Sequence, residues 1–226
     1  MHNRKFYARY DCNEGNIIEE DLIEHLKNTG ELAKQIAAKV LPTYVNAARI
    51  AGDFHDLFKV VYQDLPDCSK NSKAKLSFRY HEILSGVFLA NYYLKIDDLG
   101  LGEDEIKASV RAVLLHHQGL RAISYEDFIR GYSYIRKRIY SKGISVVLQD
   151  VQYILEKLNY KVSTLTEDFL KFESILKFLE GGKEEYRLLC GILILADNYT
   201  VMKKLKTQNR LIDLEILDFL ETLGIK

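Results

Sequence analysis

A chain of 226 residues with 32 Lys+Arg and 32 Asp+Glu has no formal net charge, so no global basic field draws a polyanion to it; any phosphate site must be a local patch. At 47% hydrophobic it can bury a substantial core, yet its longest apolar run, near 188–196, is too short to span a bilayer, and the N-terminus lacks the apolar stretch of a secretory signal. Three widely spaced cysteines (Cys12, Cys68, Cys190) with no CxxC pair argue against a disulfide framework or zinc ribbon and for a reducing compartment.

In chain order, the alternation and aromatics of "KFYARYD" (5–11) predict a short strand or hairpin. Apolar residues at helical spacing predict a helix over 20–40, with Leu22, Leu26, Ala33 and Ile36 on one face and Pro42 as its stop. Helices follow over 45–62, 77–95 and 103–119, the last with Gly119 as C-cap, and a polar loop lies at 67–75. The same periodicity places helices at 125–140, 145–158, 165–180, 184–205 and 209–222, with a break at 158–168 and Thr166 as N-cap. The expectation is one all-α, helical-bundle domain over 1–226, with a possible N-terminal β-hairpin, soluble and cytoplasmic, without membrane contact.

The polar residues inside these helices carry the chemistry. Of six histidines, five fall on predicted helices, His25, His55, His81, His116 and His117, and four of them sit among apolar neighbours. Asp56 follows His55 directly in "AGDFHDLF". Asp197 shares a helical face with Cys190, Leu193, Ile194 and Val201. A buried carboxylate needs compensation, and no Lys or Arg lies within one turn of Asp197. A cation held by histidines would supply it; so would a helix N-cap, or pairing with Arg111 or Lys59. Each histidine alone fits a hydrogen-bonded core residue equally well. Together, imidazoles and carboxylates make the ligand set of a divalent transition metal, with no thiolate in it.

These residues, in this order, resemble the HD superfamily of metal-dependent phosphohydrolases, an all-α helical fold. "HDLFK" is similar to that family's HD-x-G-K form, with Lys59 in place and Phe58 where the glycine usually stands. "RYHEILSG" (79–86) resembles the R-H-E-x-x-S-A segment of CRISPR-associated HD nucleases, with Tyr80 as an extra residue; "LLHH" (114–117) resembles their paired-histidine motif and "LADNYT" (195–200) their terminal Asp segment. The resemblance implies one ion held by His25, His55, Asp56 and Asp197. It implies a second ion bridged by Asp56 and held by His81, His116 and His117, with Mn, Ni, Co or Mg as the metal. Asp56 and Lys59 would be the catalytic pair. It further implies cleavage of single-stranded DNA, with RNA a second substrate, by a stand-alone nuclease subunit whose superfamily 2 helicase and CRISPR effector complex are separate chains, since "EGGKEEY" (180–186) is not a P-loop.

Phosphate contacts are expected from "SKNSKAK" (69–75), "KKLKTQNR" (203–210) and above all "RGYSYIRKR" (130–138). There Tyr132 and Tyr134 interleave with Arg130, Arg136, Lys137 and Arg138, a mixture suited to stacking and neutralising a single strand, or equally to a solvated helix face. Two other functions fit the same sequence: an HD phosphohydrolase acting on nucleotides or another small phosphate ester, and a non-catalytic helical interaction module with structural histidines.

Overall fold

The computed structural model describes residues 4–13, 16–96, 99–117, 125–162, 164–205 and 211–225. Strands β1 (Tyr7–Asn13) and β2 (Asn16–Asp21) pair antiparallel as the expected hairpin. Nine helices follow among the described residues: α1 (Leu22–Val40), α2 (Val45–Phe54), α3 (His81–Ile96), α4 (Glu103–Leu115), α5 (Tyr125–Lys142), α6 (Ile144–Lys157), α7 (Leu176–Leu179), α8 (Glu184–Leu205) and α9 (Leu211–Thr222). The expected all-α bundle with a small N-terminal hairpin is therefore the observed architecture. No helix among the described residues is long and apolar enough to cross a membrane. The C-cap expected at Gly119 lies outside the described residues.

The hairpin runs straight into the bundle. Asp21 ends β2 and caps α1, its side chain accepting from the Glu24 amide at 2.9 Å. Helices α1, α2, α4 and α8 pack against one another, and α3 closes on α4 and the turn after α2. Phe54, Phe58, Phe88 and Tyr92 fill the interior without exposure. Phe58, where an HD chain usually has glycine, finds room here: its ring packs 5.5 Å from that of Phe88. Helices α1 and α2 cross with almost no gap, because a Cβ on Gly52 would stand 2.5 Å from the Gly30 Cα.

Three expected helices are shorter than their periodicity implies, and in each case competing hydrogen bonds end them. The 45–62 segment stops being α-helical at Phe54, turns at His55–Asp56 and continues as a 3₁₀ helix over Leu57–Tyr62. Asp56 takes φ −109°, ψ 8°, and the Phe58 amide donates to Ser85 Oγ on α3 at 3.2 Å rather than to its own helix. The 77–95 segment becomes helical at His81, because the Arg79 carbonyl accepts from the Tyr62 hydroxyl, the Phe78 carbonyl accepts from His81 Nδ1, and Tyr80 takes φ 63°. The 165–180 segment forms two 3₁₀ turns, Glu167–Leu170 and Phe172–Ile175, before the short α7. Its carbonyls are taken by side chains from elsewhere. Asn91 Nδ2 donates to Phe169 and Lys171 at 3.2 and 2.9 Å, and the Tyr132 hydroxyl donates to Leu170 at 2.6 Å. Thr166 precedes the first turn without a side-chain capping bond.

The cysteines also depart from expectation. Cys12 and Cys68 form a disulfide, and Cys190 stays free and buried. Strand pairing brings the two together: the Cys12 amide donates to Ala74 at 2.7 Å and the Leu76 amide to Tyr10 at 3.0 Å. An odd count leaves one thiol over without preventing a pair, so the cysteine pattern no longer argues for a reducing compartment.

The close α1–α2 crossing is testable. Gly52→Ala is expected to lower stability by about 2–3 kcal/mol, the cost of overpacking a tight contact. Thermal unfolding should show a lower melting temperature, and an unchanged value would mean the two helices can part freely.

Candidate metal centre

Five elements deliver the predicted polar residues to one point. His25 comes from the first turns of α1, His55 and Asp56 from the turn that ends α2, His81 from the start of α3, His116 and His117 from the residues just after α4, and Asp197 from the middle of α8. Successive residues of a continuous α-helix point about 100° apart. The break after Phe54 lets His55 and Asp56 face the same point, which an unbroken helix over 45–62 would not allow.

Asp56 sits at the middle with no solvent exposure. Its Oδ2 lies 3.1 Å from His25 Nε2, 3.3 Å from His55 Nε2 and 2.5 Å from Lys59 Nζ. Its Oδ1 lies 2.6 Å from His81 Nε2 and 3.5 Å from His116 Nε2. Asp197 Oδ1 approaches the first side, 3.3 Å from His25 Nε2 and 3.7 Å from His55 Nε2. Among the described residues, two groups have donor atoms close enough for one ion each: His25, His55, Asp56 and Asp197, and Asp56, His81, His116 and His117. These are the two sets that the sequence resemblance implies. Asp197 is neither a cap nor a partner of Arg111, which donates to the Phe178 and Glu180 carbonyls at 2.7 and 2.8 Å.

The hydrogen bonds around the rings fit a cation. His55 Nδ1 donates to the Gly52 carbonyl at 2.7 Å and His116 Nδ1 to that of Val113 at 2.7 Å. His81 Nδ1 donates to the Phe78 carbonyl, and His25 Nδ1 donates to the Glu20 carboxylate at 3.0 Å. With each Nδ1 committed as a donor, each neutral ring turns an Nε2 lone pair inward. His25 and His55 then face each other Nε2 to Nε2 at 3.2 Å, and His81 faces His117 at 3.1 Å. At that distance two lone pairs repel unless a proton or a metal ion lies between them, and in the ion-free cluster His25 and His55 hold protons. Among the described residues the buried His116 Nε2 and Asp56 Oδ2 have no hydrogen-bond partner, although Lys59 forms an ion pair with Asp56 Oδ2. A buried His/Asp cluster of this kind suits a divalent metal.

The titration of the ion-free cluster follows from the same contacts. Burial opposes a charge on His55, but the carboxylates of Asp56 and Asp197 outweigh it and raise its pKa to about 9. His25 is likewise raised well above the usual range, burial being overcome by Asp197, Asp56 and Glu20. Against the same opposition, His55, Lys59 and His81 hold Asp56 well below the usual carboxylate range, as His25 and His55 hold Asp197. Burial lowers His116. Burial of the His117 ring, with His116 and His81 beside it, lowers that residue as well, although its outer edge is exposed.

Lys59 is not a surface lysine. Its side chain is 12% exposed, and Nζ reaches Asp56 Oδ2 and, at 3.3 Å, the Ala8 carbonyl of β1. The expected strand-binding segment fares less well. Tyr132 is buried with its hydroxyl bonded to Leu170 and its ring on Phe172, so it has no face to offer a base. Arg138 braces the loop after the 3₁₀ helix, donating to Val61 at 3.2 Å and Asp64 at 2.6 Å and stacking on Tyr62. Arg130 pairs with Asp127, and Arg136 with Glu167. Lys137 is exposed, and Tyr134 is exposed and edges onto Tyr80. Lys203 and Lys204 line a groove between α1 and α8, Lys204 paired with Glu24 at 3.2 Å, and residues 206–210 lie outside the described residues.

Sequence reasoning missed Glu20, Ser85 and Arg79 as neighbours of the site. Ser85 stands within "RYHEILSG", and Arg79 heads the same segment, so a signal existed for both; Glu20, in a strand of mixed polarity, offered none.

Residues 22–202 match the protein family described as "HD domain". No curated protein and no solved structure matches the chain.

Protons and metal compete for this cluster, with a defined pH signature. The proton that His55 holds in the folded, ion-free protein adds stability below about pH 6.5, and this is lost as pH rises through about 9. The melting temperature of chelator-treated protein should therefore fall across that interval. Saturation with Mn²⁺ or Co²⁺ should raise it and flatten the dependence, because a ligand nitrogen must give up its proton. Identical profiles with and without metal would exclude the cluster as a metal site.

Proposed function

The chain belongs to the HD domain family, a family of metal-dependent hydrolases, and on that premise we propose that it is a nuclease that cuts single-stranded DNA, with RNA as a second substrate, in CRISPR interference. The observation that carries this reading is an open cleft. Two residues of the second ligand group, His81 and His117, line a cleft of about 500 Å³ together with Lys59, Phe78, Arg79 and Tyr80. Arg79 also lines an adjoining groove together with Lys75, Tyr134 and Arg138. Cations with exposed aromatic faces in one track suit a flexible strand laid across the centre. The strand-binding role thus moves from the 130–138 helix as a unit to Arg79, Lys75 and Tyr134 along the cleft.

Ions held by His25, His55, Asp56 and Asp197 and by Asp56, His81, His116 and His117 would supply a water that ionises near neutral pH and charge to offset the phosphate oxygens. The rest is the work of the chain. The four backbone- or carboxylate-anchored imidazoles keep their Nε2 atoms inward, so little reorganisation accompanies reaction. Lys59 holds Asp56 ionised and orients it, and at the cleft wall it adds positive charge where a phosphate would lie. Phe78, under the Lys59 ammonium at 5.0 Å, shields that side from water. A formal net charge of zero leaves little long-range capture, so a separate superfamily 2 helicase within a CRISPR effector complex would deliver the strand.

One observation favours the second reading, a small phosphate ester. Glu82 and Asp64 also line the cleft and the adjoining groove, and carboxylates there repel a polyanion. Labelled single-stranded DNA, assayed with Mn²⁺, Mg²⁺, Ni²⁺ or Co²⁺ and with EDTA, separates the two. Cutting should require metal and fall at least 10³-fold in Asp56→Ala. Arg79→Ala combined with Lys75→Ala should weaken strand cleavage about tenfold or more while sparing a small chromogenic diester. Turnover of nucleotides with no strand cleavage would move the assignment to the small ester, and cleavage that survives Asp56→Ala would refute the metal mechanism altogether.

A further inference from the structure

Of the buried acids outside the ligand sets, Glu20 makes a hydrogen bond to a ligand imidazole. Glu20 is the last residue but one of β2, 5% exposed, and lies outside residues 22–202 of the family match. Its Oε1 accepts the Nδ1 proton of His25 at 3.0 Å. His55, His81 and His116 instead give their Nδ1 protons to neutral backbone carbonyls, those of Gly52, Phe78 and Val113. Glu82 Oε2 also stands 3.5 Å from His81 Nδ1, but that nitrogen donates to the Phe78 carbonyl, so among these four histidines His25 alone hydrogen-bonds its Nδ1 to a carboxylate, and that carboxylate comes from the N-terminal hairpin.

We propose that Glu20 is a positioning residue of the metal centre, acting through His25. The hydrogen bond fixes the His25 tautomer, so that Nε2 faces Asp56 and Asp197 as a lone pair. The carboxylate also pushes electron density across the ring and makes Nε2 a better donor to a divalent cation than a carbonyl-anchored imidazole would be. The arrangement has a structural cost, since a carboxylate is held away from water, and the hydrogen bond to a ligand histidine is what offsets it. It also gives the hairpin a purpose beyond covering the bundle: β2 delivers Glu20, five residues ahead of His25, directly before Asp21 caps α1.

The inference rests on His25 being a metal ligand, and the test separates the two. Co²⁺ binding is followed by calorimetry and by the visible absorption of the bound ion, in wild type, Glu20→Gln and Asp56→Ala. Glu20→Gln keeps the volume and one acceptor but removes the charge. It should bind Co²⁺ about 10–100-fold more weakly and shift the absorption band, with helical content by circular dichroism unchanged. A merely structural role predicts unchanged affinity and an unchanged band, and that result overturns the proposal while leaving the metal centre standing. Wild type that binds no Co²⁺, or binds it no better than Asp56→Ala, overturns both. Should Glu20→Gln fail to fold, Glu20→Asp carries the same test: the shortened carboxylate no longer reaches His25, so weaker binding supports the role and wild-type affinity refutes it.

Discussion

Asp56, a fully buried carboxylate with four imidazoles and an ammonium within 3.5 Å, is the constraint to which the surrounding fold answers. An isolated ionised carboxylate at such a depth would cost many kcal/mol. It is tolerated because α1, α3 and the end of α4 each bring a histidine to it, and because the turn after Phe54 frees it from the helical path that would aim it elsewhere. That turn is itself held from outside. Ser85 on α3 accepts the Phe58 amide, and the Phe58 ring is buried against Phe88 of the same helix. Bulk where an HD chain usually has glycine is thus not an obstruction in this molecule but part of the brace that fixes His55 and Asp56.

The hairpin and its disulfide extend this support to the other side. Two groups of the hairpin reach the centre, the Glu20 carboxylate at His25 and the Ala8 carbonyl at Lys59. The Cys12–Cys68 bridge, with the pairing of Cys12 and Tyr10 to Ala74 and Leu76, ties β1 to the loop that leads into Phe78 and His81. Closing a 56-residue separation is worth about 4 kcal/mol in a chain-entropy account. The bridge therefore constrains a long irregular stretch, residues 63–80, whose end must place His81 against Asp56 and Arg79 on the cleft.

What the sequence reveals divides along a physical line. Residues whose burial demands compensation are legible, and all seven expected ligands, from His25 to Asp197, meet around Asp56 because their chemistry in an apolar setting leaves few alternatives. Helices α1, α4, α5, α6 and α8 are legible from periodicity, since local hydrogen bonding and burial agree there. Legibility ends where a partner distant in sequence decides. Asn91 and Tyr132 take the carbonyls of 169–171 that a helix would have used. Tyr132 reads as a stacking residue from its basic neighbours, but its position on the inward face of α5 makes it a core residue. Cys12 and Cys68 are joined by strand pairing that no spacing rule encodes, and Glu20 gains its role from a ring five residues away across a strand-to-helix turn.

The same geometry weighs against a purely structural histidine cluster. In such a module each imidazole would settle both nitrogens, one as donor and one as acceptor, because an unmatched lone pair in the interior costs as much as any other buried polar group. Here the Nδ1 atoms of His25, His55, His81 and His116 are settled as donors, while the Nε2 atoms of His25 and His55, and those of His81 and His117, converge on one another, so that a proton or a cation must lie between them. His116 Nε2 has no hydrogen-bond partner among the described residues, only the 3.5 Å approach of Asp56 Oδ1. A fold that spends five elements to bring lone pairs together, rather than to separate them, makes sense when a cation lies among them.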